Sequence, residues 1–192
     1  MSEKAVLISI QPKWCELISN GKKTIEVRKT KPKLETPFKV YIYCTEKDYD
    51  KFFCVDKFMH RVFLNGKGKR KVIGEFVCDR IDEFHDWELS PSKRFYEEEK
   101  ARLDLFLKES CLTYEEVCEY RKNLPSIKPL YGWHISDLKI YDKPKALSEF
   151  EKPCNFKWEC SFCERYDRRE HKCYKAITRP PQSYMFVEDL GD

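Results

Sequence analysis

The residues with the clearest chemical potential in this 192-residue chain lie between Gly21 and Arg28, in the segment Gly-Lys-Lys-Thr-Ile-Glu-Val-Arg. Gly21 lets the backbone turn sharply and so deliver Lys23 at the start of the next strand. Glu26 and Arg28 are two residues apart and share one face of that strand. Arg28 could contact a phosphate or a base edge through two hydrogen bonds, and Glu26 could accept from a base amine. From spacing alone, a surface ion-pair ladder among the three charged residues is the alternative.

A second group of reactive side chains is a cysteine cluster near the C-terminus, spaced Cys154-x5-Cys160-x2-Cys163-x9-Cys173. The Cys-x-x-Cys pair places two thiolates on one tight turn, and two more thiolates complete a tetrahedral site for a structural zinc ion. His171 is a competing ligand, because it lies two residues before Cys173. Free or redox-active thiols are the alternative. The surrounding charged sequence offers little apolar material to bury four thiols, which favours the metal.

The elements that must position these residues follow from the apolar pattern. Residues 4–10 form the continuous apolar run of a buried strand, and Pro12 begins a helix that Asn20-Gly21 ends. A capping box that starts at Thr113 marks the second of two helices in the middle of the chain. The remaining strands are predicted over residues 23–28, 38–44, 71–81, 130–141 and 183–188, and an irregular or helical lid over 46–66.

Short strands, an early helix and a helical pair inserted midway predict an α+β fold, namely a small, mostly antiparallel β-barrel decorated by helices. We expect residues 1–150 to form the barrel, with the helical insert at about 92–122. Residues 151–176 would form a small zinc-binding loop before the last strand. Residues 177–192 would carry that last strand back to the barrel.

Charge and composition narrow the partners. The net charge is +4 and the pI is near 8.4, which does not suit a protein that coats nucleic acid. Residues 1–40 hold nine Lys and Arg against four acids, whereas residues 81–120 hold five against twelve. A basic face beside an acidic flank can orient an anionic ligand in a pocket. No apolar run reaches the ~18 residues of a membrane span, and the N-terminus lacks a signal-peptide cleavage site, so we expect a cytoplasmic protein.

The segment from Ser9 to Arg28 resembles the opening of an ASCH domain (activating signal cointegrator homology). These domains are similar to the PUA barrels of RNA-modifying enzymes. The family pattern is an apolar helix followed by Gly-x-Lys-x-x-Glu-x-Arg, which Gly21, Lys23, Glu26 and Arg28 match. Three later segments also resemble parts of the domain, namely Tyr43-Cys44-Thr45, Gly74-Glu75-Phe76 and Trp133-His134-Ile135. The resemblance implies a PUA-like fold and an RNA, nucleoside or nucleotide ligand held in a polar cleft at the barrel mouth.

The residues expected at that cleft come from strand ends and helix starts that such a barrel would bring together. The predicted ligand-binding set is Ser9, Lys13, Lys23, Glu26, Arg28, Tyr43, Thr45, Trp133 and Gln182.

An enzyme in the same cleft is the alternative, with Lys23 and Glu26 as its catalytic residues. One ASCH-type relative is an amidohydrolase that removes the acetyl group from acetylcytidine, and it uses a lysine, a threonine and a distant glutamate. Glu26 stands at the threonine position here, with Thr24 as a substitute hydroxyl and Glu109 as the distant glutamate. Other ASCH relatives cleave RNA, for which Lys23 would stabilise phosphorane charge and Glu26 or His134 would act as base.

Overall fold

The structure is a computed structural model that describes residues 4–45, 55–56, 61–62, 70–85, 97–153, 166–167, 172–173 and 176–191. Its elements in chain order are β1 (Lys4–Ile10), α1 (Pro12–Ser19), β2 (Ile25–Arg28), β3 (Phe38–Cys44), β4 (Val55–Asp56), β5 (Arg61–Val62), β6 (Lys71–Cys78), β7 (Ile81–Phe84), α2 (Glu97–Ser110), α3 (Tyr114–Arg121), β8 (Leu130–His134), β9 (Ser136–Ala146), a 3₁₀ turn at Leu147–Glu149, β10 (Tyr166–Asp167), β11 (Lys172–Cys173) and β12 (Tyr184–Glu188). None of the helices in these ranges is long and apolar enough to cross a membrane.

The described strands group mainly into two sheets. A five-stranded sheet has the order β12-β1-β3-β6-β9, and a three-stranded sheet has the order β2-β8-β7. All of their pairings are antiparallel except β1 with β3, which is parallel. The α+β class predicted from the sequence is confirmed.

The first strand is central because its sequence is apolar on both faces. Residues Ala5 to Ile8 are fully buried. Val6 and Ile8 pack into the cluster that includes Cys15 and Ile18 of α1, whereas Ala5 and Leu7 pack on the opposite side, with Phe150. A continuous apolar run is what a strand covered on both faces requires. The bounds predicted for β1 and β3 agree with the structure.

Two strands that were predicted as single runs are each divided between the sheets. The run 71–81 ends at Cys78, and the chain continues as β7 in the three-stranded sheet. The run 130–141 divides at Ile135, which lies between β8 and β9 and whose N–H donates to Thr24 O at 2.8 Å, beside the end of the β2–β8 ladder. Asp137, just beyond, has φ 46°. The apolar pattern hides both breaks, because both halves of each run are partly or fully buried.

A glycine allows close approach where β6 meets β9. A Cβ atom at Gly74 would lie 2.4 Å from Lys139 O, and the β6 register shifts on either side of this position. The absence of a side chain at Gly74 therefore permits the irregular pairing of β6 with β9. The predicted helical insert is present as α2 and α3, although its first residues and most of the predicted lid over 46–66 lie outside the described ranges.

The last strand returns to the first. β12 pairs antiparallel with β1 from Lys4↔Glu188 to Ile8↔Tyr184. Just before it, Ala176 forms a bridge with Glu151, and the Ile177 N–H donates to Phe150 O at 2.9 Å. These contacts bring the two ends of segment 152–175 together.

Candidate ligand-binding cleft

A cavity of about 760 Å³ opens beside the C-terminal end of β1 and beside β2, an edge strand of the three-stranded sheet. Its volume lies within the range of about 300–1,000 Å³ that small-ligand sites occupy. The lining residues come from five chain segments and are Ser9, Ile10, Gln11, Trp14, Lys23, Glu26, Val27, Arg28, Thr45, Leu112, Glu116, Glu119, Tyr120, Pro180, Pro181 and Gln182.

Three charged side chains, Lys23, Glu26 and Arg28, form a connected group at the cavity, which we call the buried triad. Glu26 Oε2 lies 3.4 Å from Lys23 Nζ, and Glu26 Oε1 lies 3.0 Å from Arg28 Nη2. The side chains of Lys23, Glu26 and Arg28 are only 2, 8 and 10 % exposed. The residues Ile25 and Val27 between them pack on the other face of β2, in a cluster with Phe106 of α2 and neighbouring apolar side chains. The three charges therefore do not form a surface ladder.

Lys23 is held by the helical insert as well as by Glu26. Its Nζ donates to the Ser110 carbonyl at the end of α2, at 2.8 Å, where the helix dipole favours a positive charge. The Thr24 N–H donates to Glu109 O at 2.9 Å and fixes the same junction. Burial lowers the pKa of Lys23, and the Glu26 carboxylate opposes that shift. Lys23 thus joins β2, α2 and the cavity.

Arg28 connects β2 with the end of β1. Its Nη2 donates to Ser9 O at 2.6 Å as well as contacting Glu26. Ser9 in turn donates from Oγ to Pro181 O at 2.6 Å, so the same residue anchors one wall of the cavity. The Nε of Arg28 is buried and has no hydrogen-bond partner among the described residues. It is therefore a fully buried donor of the triad that no described residue satisfies.

The rim of the cavity is more exposed than its floor. Lys13 Nζ lies 3.1 Å from Glu116 Oε1, which links α1 with α3, and lies 4.3 Å from the centre of the Trp14 ring. Tyr120 is 39 % exposed, and the Nζ of Lys29 lies 4.9 Å from the centre of its ring. The cavity wall therefore offers two aromatic rings, each beside a lysine.

Six of the nine residues predicted for the ligand line the cavity: Ser9, Lys23, Glu26, Arg28, Thr45 and Gln182. The buried Thr45 Oγ1 has no hydrogen-bond partner within the described part of the chain. Lys13 lies at the rim through its ion pair with Glu116.

Tyr43 and Trp133 lie away from the cavity lining. Trp133 is fully buried, with its ring 5.9 Å from that of Phe38 and 5.5 Å from that of Tyr184. It stands opposite Glu26 in the β2–β8 register, but its side chain enters the core. Tyr43 packs on the other face of the five-stranded sheet, in the cluster that contains Phe150. Aromatic residues were predicted at the cleft by their chain position, and core packing places these two elsewhere.

The other residues considered for catalysis are also outside the lining. His134 Nδ1 lies 2.6 Å from Asp79 Oδ1, and neither residue lines the cavity. Glu109 contributes its backbone carbonyl to the α2–β2 junction and is absent from the lining as well.

The wall formed by Leu112, Glu116, Glu119 and Tyr120 was not predicted from the sequence. The capping box predicted at Thr113 is confirmed, with Glu116 N donating to Thr113 Oγ1 at 3.2 Å. That signal locates the start of a helix but does not say which element the helix will face. The docking depends on the buried triad and on the apolar contacts of α2, which join residues far apart in sequence.

The predicted zinc ligands Cys154, Cys160 and Cys163 lie outside the described residues, and only the backbone of Cys173 is described. Within the described ranges no group of three or more His, Cys, Asp or Glu side chains is arranged to hold a metal ion. The β10 and β11 strands pair antiparallel, with Tyr166 opposite Cys173.

Comparisons with known proteins show a similarity of structure but not of sequence. No protein-family model matches the sequence, and no curated protein matches it. Crystal structures of an ASCH protein from Zymomonas mobilis and of its tyrosine-to-phenylalanine variant are 16 and 17 % identical to this chain, with TM-scores of 0.48 for both. These alignments cover 96 and 97 % of this chain and 87 and 91 % of the other.

A serine-to-alanine variant of the same Zymomonas protein aligns over 97 % of this chain and 90 % of its own, with 16 % identity and a TM-score of 0.50. At this identity the likeness concerns the fold alone. The chain therefore shares the fold of this Zymomonas ASCH protein.

Proposed function

We propose that this protein binds RNA or a modified nucleoside, with one base held in the cavity above the buried triad. The supporting observation is the lining itself, which combines a floor of fixed charges with apolar walls and two partly exposed aromatic rings. A heterocyclic base needs both kinds of surface, because its faces stack and its edges form hydrogen bonds. The ASCH resemblance of the sequence points to the same class of ligand.

Each wall would have a distinct role. Trp14 and Tyr120 would contact the faces of the base, and such stacking is worth about 1–3 kcal/mol per base. The guanidinium of Arg28, which uses Nη2 for its protein contacts, would donate to an acceptor on the base edge. Gln182 and Thr45, which also line the cavity, would supply further polar contacts.

Binding is favoured over catalysis by the contacts of the two residues that an enzyme would use. Lys23 Nζ already donates to Ser110 O and faces Glu26, and its side chain is 2 % exposed. Both oxygens of Glu26 already contact cations. An amidohydrolase or a ribonuclease in this cleft would first have to release these contacts.

The test measures the binding of cytidine, acetylcytidine and the other nucleosides by calorimetry, and of short single-stranded RNA by fluorescence anisotropy. We expect Tyr120→Ala to weaken binding by a factor of about 5 to 150, which corresponds to the loss of one stacking contact. Tyr120→Phe keeps the ring and should bind like the wild type. Because Tyr120 is partly exposed, both variants are expected to fold.

Three outcomes would contradict the proposal. The wild type could bind no nucleoside and no RNA, or Tyr120→Ala could bind as tightly as Tyr120→Phe. Product formation from acetylcytidine or RNA, lost in Lys23→Ala, would favour the enzyme instead.

We also propose that Cys154, Cys160, Cys163 and Cys173 bind a structural zinc ion. The spacing of the cysteines supports this, and so does the β10–β11 pairing, because the chain must reverse between Cys163 and Cys173. Elemental analysis of protein purified without chelator should give about one zinc per chain. A content clearly below that would reject the assignment, and a Cys173→Ser variant that retains zinc would indicate His171 as the fourth ligand.

A further inference from the structure

The charges that line the cavity leave no positive surplus for a phosphate. The lining contains two cations, Lys23 and Arg28, and three carboxylates, Glu26, Glu116 and Glu119. Both cations already contact Glu26. A phosphate carries negative charge and binds where cations or free N–H donors exceed acids. The part of a ligand that enters this cavity should therefore be uncharged, as a base is.

Cations instead lie next to lining residues in the chain. Lys29 follows Arg28 directly, and its ammonium lies over the ring of Tyr120 at the mouth. Arg179 is exposed and precedes Pro180, which also lines the cavity. We call the exposed or half-buried cations Lys29, Lys31, Lys33 and Arg179 the mouth ridge.

Most cations of the mouth ridge are not neutralised by a carboxylate of the described residues. Lys29, Lys33 and Arg179 form no ion pair with any residue in the described ranges. Lys31 does pair, with Glu83 Oε1 at 2.6 Å, and therefore carries less free charge. Burying unpaired charged side chains would be unfavourable, so exposed lysines are also what an ordinary solvated surface contains. Exposure by itself therefore does not indicate a binding site. What distinguishes Lys29 and Arg179 is their position next to lining residues of a cavity that lacks surplus positive charge.

The ridge has a fixed path on the surface. Tyr184 of β12 donates from its hydroxyl to Lys31 O at 2.9 Å, and Lys31 Nζ lies 5.2 Å from the centre of the Tyr131 ring on β8. Four residue steps from Lys29 to Lys33 span at most about 14 Å. A stretch of up to that length can contact more than one phosphate, so the ridge suits a line of phosphates better than a single terminal one.

We propose that the mouth ridge binds the phosphodiester backbone of a single-stranded nucleic acid that places one base in the cavity. This inference rests on the proposed function. It narrows the class of ligand from a nucleoside or RNA to a single-stranded nucleic acid, one base of which enters the cavity. A free nucleotide would gain little, because its phosphate would have to sit at the mouth with only part of the ridge in reach. A strand carries phosphates on both sides of the inserted base and can follow the ridge away from the mouth.

The test compares a ridge variant, Lys29→Gln with Lys33→Gln, against a control variant, Lys100→Gln with Lys143→Gln. Both variants lose two positive charges, and the control positions are exposed on α2 and β9, which contribute nothing to the cavity lining. Binding of a short single-stranded RNA, and of the DNA strand of the same sequence, is measured from about 50 to 200 mM salt. Calorimetry with the best-bound nucleoside reports the cavity alone.

The expected result is a smaller salt dependence for the ridge variant. The slope of log K against log salt should fall by about 1.4, since each lost phosphate contact contributes about 0.7 for a single strand. The loss should be the same for RNA and DNA, because their backbone charge is the same. Nucleoside affinity should change much less than strand affinity in both variants, because none of the substituted residues lines the cavity.

The outcomes separate the two proposals. If the wild type binds no nucleoside and no strand, the proposed function has failed. If the nucleoside binds and depends on Tyr120, but the ridge variant and the control show equal slopes, the cavity assignment stands and the mouth ridge is wrong. A nucleoside monophosphate that binds as tightly as the strand would also overturn the inference.

Discussion

Two ion-paired groups of this protein lie close together and differ in almost every physical respect. The buried triad joins Lys23, Glu26 and Arg28 with side-chain exposures of 2, 8 and 10 %. The rim pair joins Lys13 and Glu116, whose side chains are 49 and 40 % exposed. The distances are similar, at 3.0 and 3.4 Å in the triad and 3.1 Å at the rim.

The difference lies in what surrounds the charges. A charge removed from water must be compensated by its partners, and removing one partner leaves the other buried and unpaired. Lys23 and Arg28 also hold backbone carbonyls of Ser110 and Ser9, so the triad links β1, β2 and α2. An exposed pair keeps most of its hydration and is weak. The floor of the cleft should therefore be rigid and costly to alter, whereas the rim should tolerate change.

The largest expected effect comes from removing the carboxylate that both buried cations share. Glu26→Gln keeps the size of the side chain but leaves Lys23 and Arg28 buried without a counter-charge. We expect the free energy of unfolding to fall by about 3–5 kcal/mol, measured by urea denaturation. Glu119→Gln is the matched control, because Glu119 also lines the cavity but its side chain is 74 % exposed, so its effect should stay within about 0.5 kcal/mol.

A loss of less than about 1 kcal/mol for Glu26→Gln would contradict the contrast between floor and rim. It would mean that water or a change of side-chain conformation replaces the missing charge. Combining Glu26→Gln with Lys23→Met checks the explanation, since removing one stranded cation should restore part of the lost stability.

Much of the floor could be predicted from the sequence because it depends on local rules. The apolar run 4–10, the proline at the start of α1 and the Gly21 turn with φ 68° fix the strand–helix–strand unit. The period of two along β2 then places Glu26 and Arg28 on one face. Local sequence thus brings half of the cleft residues together, namely those within 9–14 and 23–28, without any knowledge of the remaining chain.

The rest depends on contacts between distant segments, which the local pattern does not contain. The α3 wall reaches the cleft because Ser110 and Glu109 dock on residues 23–24. Trp133 shows the reverse case. Its sequence neighbourhood is compatible with a binding residue, but the space between Phe38 and Tyr184 draws it into the core. Packing decides such positions, and a single sequence does not reveal which partner each aromatic ring will meet.

A second prediction uses the pH dependence of the floor. Burial lowers the pKa of Lys23 in the folded protein, so between that pKa and its ordinary value the unfolded chain binds more protons. Stability contributed by this group therefore rises with pH in that window. We expect the stability difference between wild type and Lys23→Met to shift in favour of the wild type from about pH 8 to about pH 10, measured by urea denaturation.

The comparison with Lys23→Met separates the contribution of the lysine from that of other groups that titrate in the same pH range. The pKa values of Tyr41, Tyr141 and Cys78 are raised, chiefly by burial, and these groups oppose the trend equally in both proteins. A difference that stays constant or falls as the pH rises would show that Glu26 compensates the burial of Lys23 fully.

The smallest expected effect is at the rim, where a double-mutant cycle with Lys13→Met and Glu116→Gln measures the pair itself. We expect a coupling of about 0.2–1 kcal/mol that decreases with added salt. Glu116→Gln is chosen because its amide oxygen can still accept from the Thr113 N–H, a bond of 3.0 Å that completes the cap of α3. Glu116→Ala loses that bond too and should destabilise further.

The size of this coupling decides how the cleft can take in a ligand. If Lys13 and Glu116 couple weakly, α1 and α3 can separate slightly at the mouth at little cost, while the triad keeps the floor in place. A base could then enter past Trp14 and Tyr120 without disturbing Arg28. A coupling well above 1 kcal/mol would instead make the rim as rigid as the floor, and a ligand would have to fit the cavity as it stands.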